Sequence, residues 1–116
     1  MTQTRSLHVT AELLQAYSRR GNFHSDPEEA RRLGLDKLVA QGMQVSGPAY
    51  GILLDEWGED FLARGELELK FVGRVVEGDT ADGVVELAGD GDRASIEVRN
   101  GDRTAVVGRA RRTAVA

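Results

Sequence analysis

Residues 21–30, GNFHSDPEEA, place three side chains with possible roles in proton transfer or water binding close together. The imidazole of His24 can act as a general base or acid, Asn22 can orient a water molecule, and Asp26 supplies a carboxylate. Each also has a purely structural interpretation. A histidine packs or faces solvent, an asparagine suits a turn, and Asp-Pro suits the start of a helix. The residue types alone leave both interpretations open.

The rest of the composition excludes several other chemistries. The chain of 116 residues has no cysteine, which rules out disulfides, thiol nucleophiles and cysteine-ligated metals. Its two histidines, His8 and His24, are too far apart in the sequence to form a metal-binding motif, and we expect His8 to be structural. Neither a phosphate-binding loop nor a dinucleotide fingerprint is present. We therefore expect no metal and no resident cofactor.

The charge pattern argues against nucleic acid or membrane as a partner. The net charge is −4 and the isoelectric point is about 5.2, which gives no basic field. The basic run RARR, residues 109–112, alternates with a small residue and fits the solvent side of a last strand. The N-terminal segment lacks a hydrophobic signal core, and the apolar stretch around 43–54 is too short and broken to span a bilayer. We expect a soluble, cytoplasmic protein.

Helix patterns flank the candidate residues. Thr10 is the predicted N-cap of the helix AELLQAYS, and SRRGNFH is predicted to be a loop. The segment SDPEEARRLG predicts a short helix, with Ser25 or Asp26 as the cap and Pro27 in the first turn. The loop that carries His24 should therefore be held between two helices.

A long helix is predicted next in the chain. Residues 42–57, GMQVSGPAYGILLDEW, are apolar or small on nearly every side, which is typical of a buried helix. Pro48 would remove a backbone hydrogen bond and kink this helix. A second short helix, EDFLARG, should end at Gly65.

Strands fill the second half of the chain. From residue 65 the apolar pattern changes to period two, which predicts strands. They are expected over 66–76 and 81–89 and in a hairpin over 93–112, with Asn100-Gly101 at its tight turn. With a short N-terminal strand, this order predicts one α+β domain over residues 1–116, an antiparallel sheet around a buried helix.

Four segments, in this order, resemble one family. HSDPEEARRLGL at 24–35 is similar to the family segment H-x-D-P-x-x-A, and VAQGMQVSGPAYGILLDEW at 39–57 to the stretch that usually reads A-H-G-M. LELKFVGRVVEGDT at 67–80 resembles R-F-x-x-P-V-x-x-G-D-T, and the hairpin near NGD at 100–102 carries a similar turn. The chain thus resembles the hot-dog fold of the MaoC-like acyl dehydratases and (R)-specific enoyl-CoA hydratases, over roughly residues 7–115.

This resemblance implies a lyase that interconverts 3-hydroxyacyl and trans-2-enoyl thioesters. It implies that His24 is the general base and that Gly42, at the start of the buried helix, donates a backbone N–H to the enolate oxygen. Gln41 and Met43 flank that donor as substrate-binding residues. CoA or phosphopantetheine would enter as part of the substrate. The sheets of two hot-dog chains, identical or different, would join edge to edge, and the pathway could be fatty-acid or polyketide metabolism.

Two departures from the family pattern leave alternatives open. In the family's D-x-N-P-x-H signature, the position of the aspartate falls on Arg19, so Asn22 and Asp26 are the candidates to replace that aspartate in catalysis. In the A-H-G-M element, Gln41 replaces the histidine. The chain could therefore be a non-catalytic or half-catalytic subunit of a hetero-oligomeric dehydratase. A third possibility is an acyl thioesterase that uses Asp55 or Glu56. Arg19 and Arg20 suit an exposed loop or a phosphate of the acyl carrier.

Overall fold

Five strands and five helices make up the computed structural model, which describes residues 1–113. The strands are β1 (Thr2–His8), β2 (Gly65–Phe71), β3 (Thr80–Leu87), β4 (Arg93–Asn100) and β5 (Arg103–Arg112). The helices are α1 (Ala11–Tyr17), α2 (Pro27–Arg32), α3 (Gly42–Val45), α4 (Gly47–Trp57) and α5 (Glu59–Arg64). The predicted α+β composition is confirmed. No helix of these residues is long and apolar enough to cross a bilayer.

The strands form one antiparallel sheet in the order β1-β3-β4-β5-β2. Alternation along each strand puts small and apolar residues on one face, as in β3, where Ala81, Gly83 and Val85 are buried. The opposite face is polar, and Arg109 and Arg111 of the RARR run lie exposed on it, as predicted. Helix α4 covers the apolar face, mainly over β1 and β3.

Close approach between α4 and the sheet depends on a glycine. A β-carbon at Gly83 would lie 2.8 Å from the backbone nitrogen of Ala49 and 2.9 Å from Pro48. Both distances are below ordinary contact, so a larger residue at this position would push the helix outward. The buried side chains Ile52 and Leu53 then fill the space between the helix and the sheet.

The buried helix predicted over 42–57 is two helices that meet at Ser46, which corrects the sequence-based boundaries. Proline has no backbone N–H, so Pro48 cannot donate within the helix and the regular bonding is interrupted there. The bonding resumes where the Tyr50 N–H donates to the Ser46 carbonyl oxygen at 3.0 Å. The break separates the first turn, α3, from the longer helix α4.

Strand β2 is shorter than predicted, since it ends at Phe71 rather than at Val76. The backbone N–H groups of Val72 and Gly73 both donate to the Ala105 carbonyl oxygen, at 2.9 and 3.0 Å, which turns the chain out of the sheet. Val76 instead forms an isolated antiparallel bridge with Val39. This exit brings the segment after β2 next to the loop before α3.

The turn between β4 and β5 also lies one residue later than predicted. Asn100 and Arg103 are paired, so the two central residues are Gly101 and Asp102. Gly101 has φ of 64°, whereas no residue other than glycine has positive φ in the described chain. A glycine at the first central position is the arrangement of a type II′ hairpin turn.

Candidate active site

The loop between α1 and α2 is held in shape by its own side chains. The Asn22 side-chain oxygen accepts from the His24 backbone N–H at 2.9 Å. The Asn22 carbonyl oxygen accepts from the backbone N–H groups of Ser25 and Asp26, at 3.1 and 2.8 Å. The hydroxyl of Ser25 is buried and donates to the Arg19 carbonyl oxygen at 2.6 Å. His24 therefore stands on a fixed loop.

The imidazole of His24 is oriented by a backbone carbonyl. Its Nδ1 lies 2.6 Å from the carbonyl oxygen of Val39. A carbonyl oxygen can only accept, so Nδ1 carries the proton, and in the neutral ring Nε2 holds the free lone pair. The Phe23 ring packs against the imidazole with 4.0 Å between ring centroids. These contacts present Nε2 as a base.

The start of α3 is open because the residue at its N-cap position does not cap it. The Gln41 side chain makes no capping hydrogen bond; its Nε2 donates instead to the buried Ser18 hydroxyl at 2.7 Å. The first N–H groups of a helix have no acceptor within the helix. Among residues 1–113, no group accepts from the backbone N–H of Gly42 or Met43. These donors remain available to an oxyanion.

An aromatic ring lies against Gly42. A β-carbon at this position would be 2.7 Å from the Phe71 ring, so only glycine fits under it. Phe71 is the last residue of β2, and half of its surface is exposed. The period of two over residues 66–76 puts Phe71 on the same strand face as Leu67 and Leu69, and it gives no sign that the ring lies over the start of α3.

A cleft of about 430 Å³ opens at the start of α3, and residues that contact His24 form part of its wall. Gly42 lines it directly, and His24 adjoins it through Phe23 and Val39, which both line it. The remaining lining is apolar apart from one charged side chain, Arg74. It consists of Leu35, Ala40, Val45, Phe71, Val72, Gly73, Val75 and Val106. The cleft therefore combines an open helix start with an apolar wall, next to the two residues that hold the His24 ring.

The other candidate residues lie in less direct positions. The Asp26 side chain accepts from the Glu28 N–H at 3.0 Å and caps α2, which confirms one of the two predicted caps. Met43 is 53% exposed beside Gly42. His8 is exposed on β1, with its Nδ1 3.2 Å from the Thr80 hydroxyl. In the described residues no carboxylate hydrogen-bonds to His24.

The carboxylates of the thioesterase alternative face β1 instead. Asp55 forms an ion pair with Arg5, and Glu56 accepts a hydrogen bond from Gln3. Arg5 also lies against Gly51 of α4, so this contact clamps β1 onto the helix. Within residues 1–113, no group of three or more acidic or histidine side chains is arranged to hold a metal ion.

Comparison with known proteins identifies the family. The family described as MaoC like domain matches residues 3–108. The chain belongs to the MaoC-like domain family. Among curated proteins, none matches this sequence. The match covers the loop of His24, the start of α3, three of the five strands completely (β2, β3 and β4) and most of the other two.

Three solved structures share the fold of this chain at 14–22% sequence identity. An (R)-hydratase from A. caviae involved in PHA biosynthesis has a TM-score of 0.73 at 22% identity, covering 95% of this chain and 91% of its own. The ChsH1-ChsH2 complex from Mycobacterium tuberculosis has a TM-score of 0.73 at 14% identity, covering 97% and 96%. The HadBC 3R-hydroxyacyl-ACP dehydratase complex from the same organism has a TM-score of 0.69 at 19% identity, and the match covers 95% of this chain and 92% of the other. The predicted hot-dog fold is confirmed.

Proposed function

We propose that this chain is an acyl-thioester hydratase or dehydratase in which His24 is the general base and the start of α3 is the oxyanion site. One observation carries the proposal. The Val39 carbonyl holds His24 in the form with a free Nε2, and Val39 lines the same cleft as Gly42, whose backbone N–H is uncapped. A base and an oxyanion donor are the two groups that proton abstraction next to a thioester carbonyl requires.

In the dehydration direction, Nε2 of His24 takes the α proton of a 3-hydroxyacyl thioester. The electron pair moves onto the thioester carbonyl, and the enolate oxygen accepts from the Gly42 N–H. The pair then returns to form the α,β double bond as the β carbon–oxygen bond breaks. The protonated His24 gives its proton to the departing hydroxyl, which leaves as water. Hydration runs the same steps in reverse, so one residue suffices as both acid and base.

Asn22 and Asp26 have supporting places in this proposal. Asn22 fixes the His24 backbone through its side-chain oxygen, and its amide nitrogen can hold the water or hydroxyl group. Asp26 is the alternative acid, but its carboxylate already accepts from the Glu28 N–H. We therefore rank Asn22 above Asp26 as the residue that assists His24.

The apolar lining of the cleft suits the acyl group, while the carrier stays outside. We assign Gln41 and Met43, on either side of Gly42, to contact with the substrate arm. CoA or phosphopantetheine is then part of the substrate, and no resident cofactor takes part. We expect this work to take place in the cytoplasm, in keeping with a sequence that has no cysteine.

A dimer is part of the proposal because β1 and β2 are open sheet edges. Unpaired edge groups invite pairing with another strand. The A. caviae hydratase gives the precedent for the reaction, whereas ChsH1-ChsH2 and HadBC are complexes named for two components. We expect either two copies of this chain or one copy with another hot-dog chain.

Hydration of trans-2-enoyl-CoA thioesters of several chain lengths by the purified chain tests the activity. We expect the conjugated-enoyl absorbance to fall without release of free thiol. Release of free thiol instead would indicate a thioesterase and contradict the proposal. This outcome is disfavoured because Asp55 and Glu56 are already engaged by β1.

The second candidate is a subunit that shares its site with a different hot-dog chain. It is favoured by Arg19 at the position of the family aspartate and by the lack, in residues 1–113, of any carboxylate bonded to His24. A folded chain that is inactive on every chain length alone, but gains activity with a second hot-dog chain, would select this candidate. Activity of the pure homodimer would exclude it.

A further inference from the structure

A second groove, of about 660 Å³, opens next to the cleft that Gly42 lines. The two share Val72, Gly73 and Arg74 as lining, so one runs into the other where the chain leaves β2. The far wall of the groove is the turn between β4 and β5. A molecule with its acyl end in the cleft can therefore lay its other end in this groove.

Two arginines border the groove. Arg74 stands at the junction, where it is the one charged side chain that lines the cleft, and Arg103 stands at the turn. Both are exposed, and neither forms an ion pair with any carboxylate of residues 1–113. A guanidinium offers five N–H donors in a fork that matches phosphate.

Asn100 holds the two arginine backbones near each other. Its side-chain nitrogen donates to the Arg74 carbonyl oxygen at 3.3 Å, and its backbone pairs with Arg103 across the hairpin. The same nitrogen donates to Asp79 at 2.8 Å, and the Val76 N–H donates to that carboxylate at 3.0 Å. The Asp79 carboxylate is thus engaged in hydrogen bonds that stabilise the turn from Val76 to Asp79, and it pairs with neither arginine.

Asp102 is the other acidic residue of the groove. It is exposed at the centre of the hairpin turn, and the structure gives it no ion pair with Arg103. Two carboxylates and two guanidiniums make the groove electrically balanced in total. An anion would therefore be bound by direct hydrogen bonds from the two guanidinium groups, which have no carboxylate partner among residues 1–113, and not by a net positive charge of the groove.

The loop arginine considered from the sequence borders a different groove. Arg20 lines a space of about 600 Å³ with Gln15, Gly21, Ser25, Asp26 and others, and none of its lining residues lines the cleft. A phosphate bound there would not share a continuous path with the acyl site. Arg20 therefore provides a matched comparison for Arg74.

We propose that Arg74 and Arg103 form an anion subsite that binds a phosphate of the acyl carrier, either of CoA or of a phosphopantetheine arm. This proposal rests on the proposed function for the identity of the ligand. The apolar cleft takes the acyl group, and the arginines take the phosphate at the opposite end of the pantetheine chain. The subsite would retain the substrate without contact with the reacting atoms.

Equilibrium binding of unacylated coenzyme A tests the subsite without any need for catalysis. The purified chain, Arg74→Gln, Arg103→Gln and the control Arg20→Gln would be titrated by calorimetry with coenzyme A, dephospho-coenzyme A, 4′-phosphopantetheine and pantetheine. We expect Arg74→Gln to weaken coenzyme A binding about tenfold, consistent with the loss of a charge-assisted contact. Arg103→Gln should weaken it less, and Arg20→Gln should match the wild type.

The ligands distinguish the sources of the phosphate. Equal affinity for coenzyme A and 4′-phosphopantetheine, both above pantetheine, supports a phosphate shared with a carrier-protein arm. Preference for coenzyme A over dephospho-coenzyme A supports the 3′-phosphate. No preference of the wild type for any phosphorylated ligand over pantetheine would overturn the proposal, as would unchanged binding in both Arg74→Gln and Arg103→Gln. Binding that depends on Arg74 in a chain without hydratase activity would sustain the subsite and reject only the reaction.

Discussion

The two ends of the α3–α4 helix pair are built in opposite ways. At the α3 end, Gln41 leaves the first N–H groups uncapped, and Phe71 and Met43 expose half of their surface. At the α4 end, Trp57 is 5% exposed, and its Nε1–H donates to the Gly91 carbonyl oxygen at 2.9 Å. The α3 end has backbone N–H groups without an acceptor among residues 1–113, whereas at the α4 end the indole N–H of Trp57 is hydrogen-bonded within the chain.

Charged side chains reinforce the closed end. The Arg112 guanidinium lies 5.7 Å from the Trp57 ring centre and pairs with Asp92 at 3.0 Å and Asp60 at 3.3 Å. Asp60 also pairs with Arg64. These contacts tie α4 and α5 to β5. We infer that the α4 end contributes more to the stability of the fold than the α3 end does.

The largest expected effect on stability is at Trp57. Trp57→Ala should lower the free energy of unfolding by about 3–5 kcal/mol, because it empties a buried aromatic site. Trp57→Phe keeps most of the packing and loses the bond to Gly91, so it should cost about 1 kcal/mol. Denaturant unfolding measures both. A loss below about 1 kcal/mol for Trp57→Ala would show that the closed end does not carry the fold.

Two glycines of the helix pair test the open end. The added methyl of Gly42→Ala would meet the Phe71 ring, which should cost about 1–3 kcal/mol and, through displaced donors, about 100-fold in activity. Outside its chain neighbours and its own helix backbone, Gly47→Ala has no atom within 4 Å of the new carbon, so it should leave activity unchanged. The new β-carbon precedes Pro48 in a helix, which should limit the cost in stability to about 1 kcal/mol. Adding Phe71→Ala to Gly42→Ala should recover stability. Equal behaviour of the two alanine variants would remove the distinction that we draw for Gly42.

Asp26 provides a smaller test, since it gives α2 the cap that α3 lacks. Asp26→Ala should cost about 1 kcal/mol, whereas Asp26→Asn keeps a capping oxygen and should be close to neutral. If the carboxylate only caps, Asp26→Asn should also retain hydration activity. A drop of about 100-fold in Asp26→Asn, with stability unchanged, would instead make Asp26 the acid.

The smallest effect is expected on the outer face of the sheet, away from both ends. Arg111 lowers the pKa of Glu66, first through a side-chain hydrogen bond and second through its positive charge. A lowered folded-state pKa contributes stability above the unfolded pKa, which is lost as the pH falls through the folded value. Glu66→Gln should therefore melt slightly earlier than the wild type at pH 7, with the gap closing in acid. A gap that persists at about pH 2 would have a different cause.

Local chemistry explains the parts of the fold that the sequence predicted. The caps Thr10 and Asp26 depend on neighbouring backbone groups, and Thr10 accepts from the Leu13 N–H as expected. The period of two shows which residues of a strand share a face, because this alternation does not depend on the neighbouring strands. The early end of β2 could not be found in this way, because it depends on the Ala105 carbonyl, which lies more than thirty residues away.

The residue types of the candidate active site could be predicted from the sequence, but the contacts that arrange them could not. His24 was singled out by the resemblance, whereas the Val39 carbonyl that fixes its tautomer is a backbone group with no sequence signal. Phe71 looked like a core residue because periodicity cannot show that the strand stops there. Arg74 occupies the proline position of the motif quoted for 67–80, a departure that would have drawn attention to it.

Hydration of a trans-2-enoyl-CoA by wild type, His24→Ala and His8→Ala tests the central claim most directly. His8→Ala is the matched control, since this histidine is exposed on β1 and hydrogen-bonds only to Thr80. We predict that His24→Ala lowers kcat/KM by about a thousandfold, roughly 4 kcal/mol of transition-state stabilisation, while His8→Ala stays at the wild-type value. A folded His24→Ala variant within about tenfold of the wild type would contradict His24 as the base.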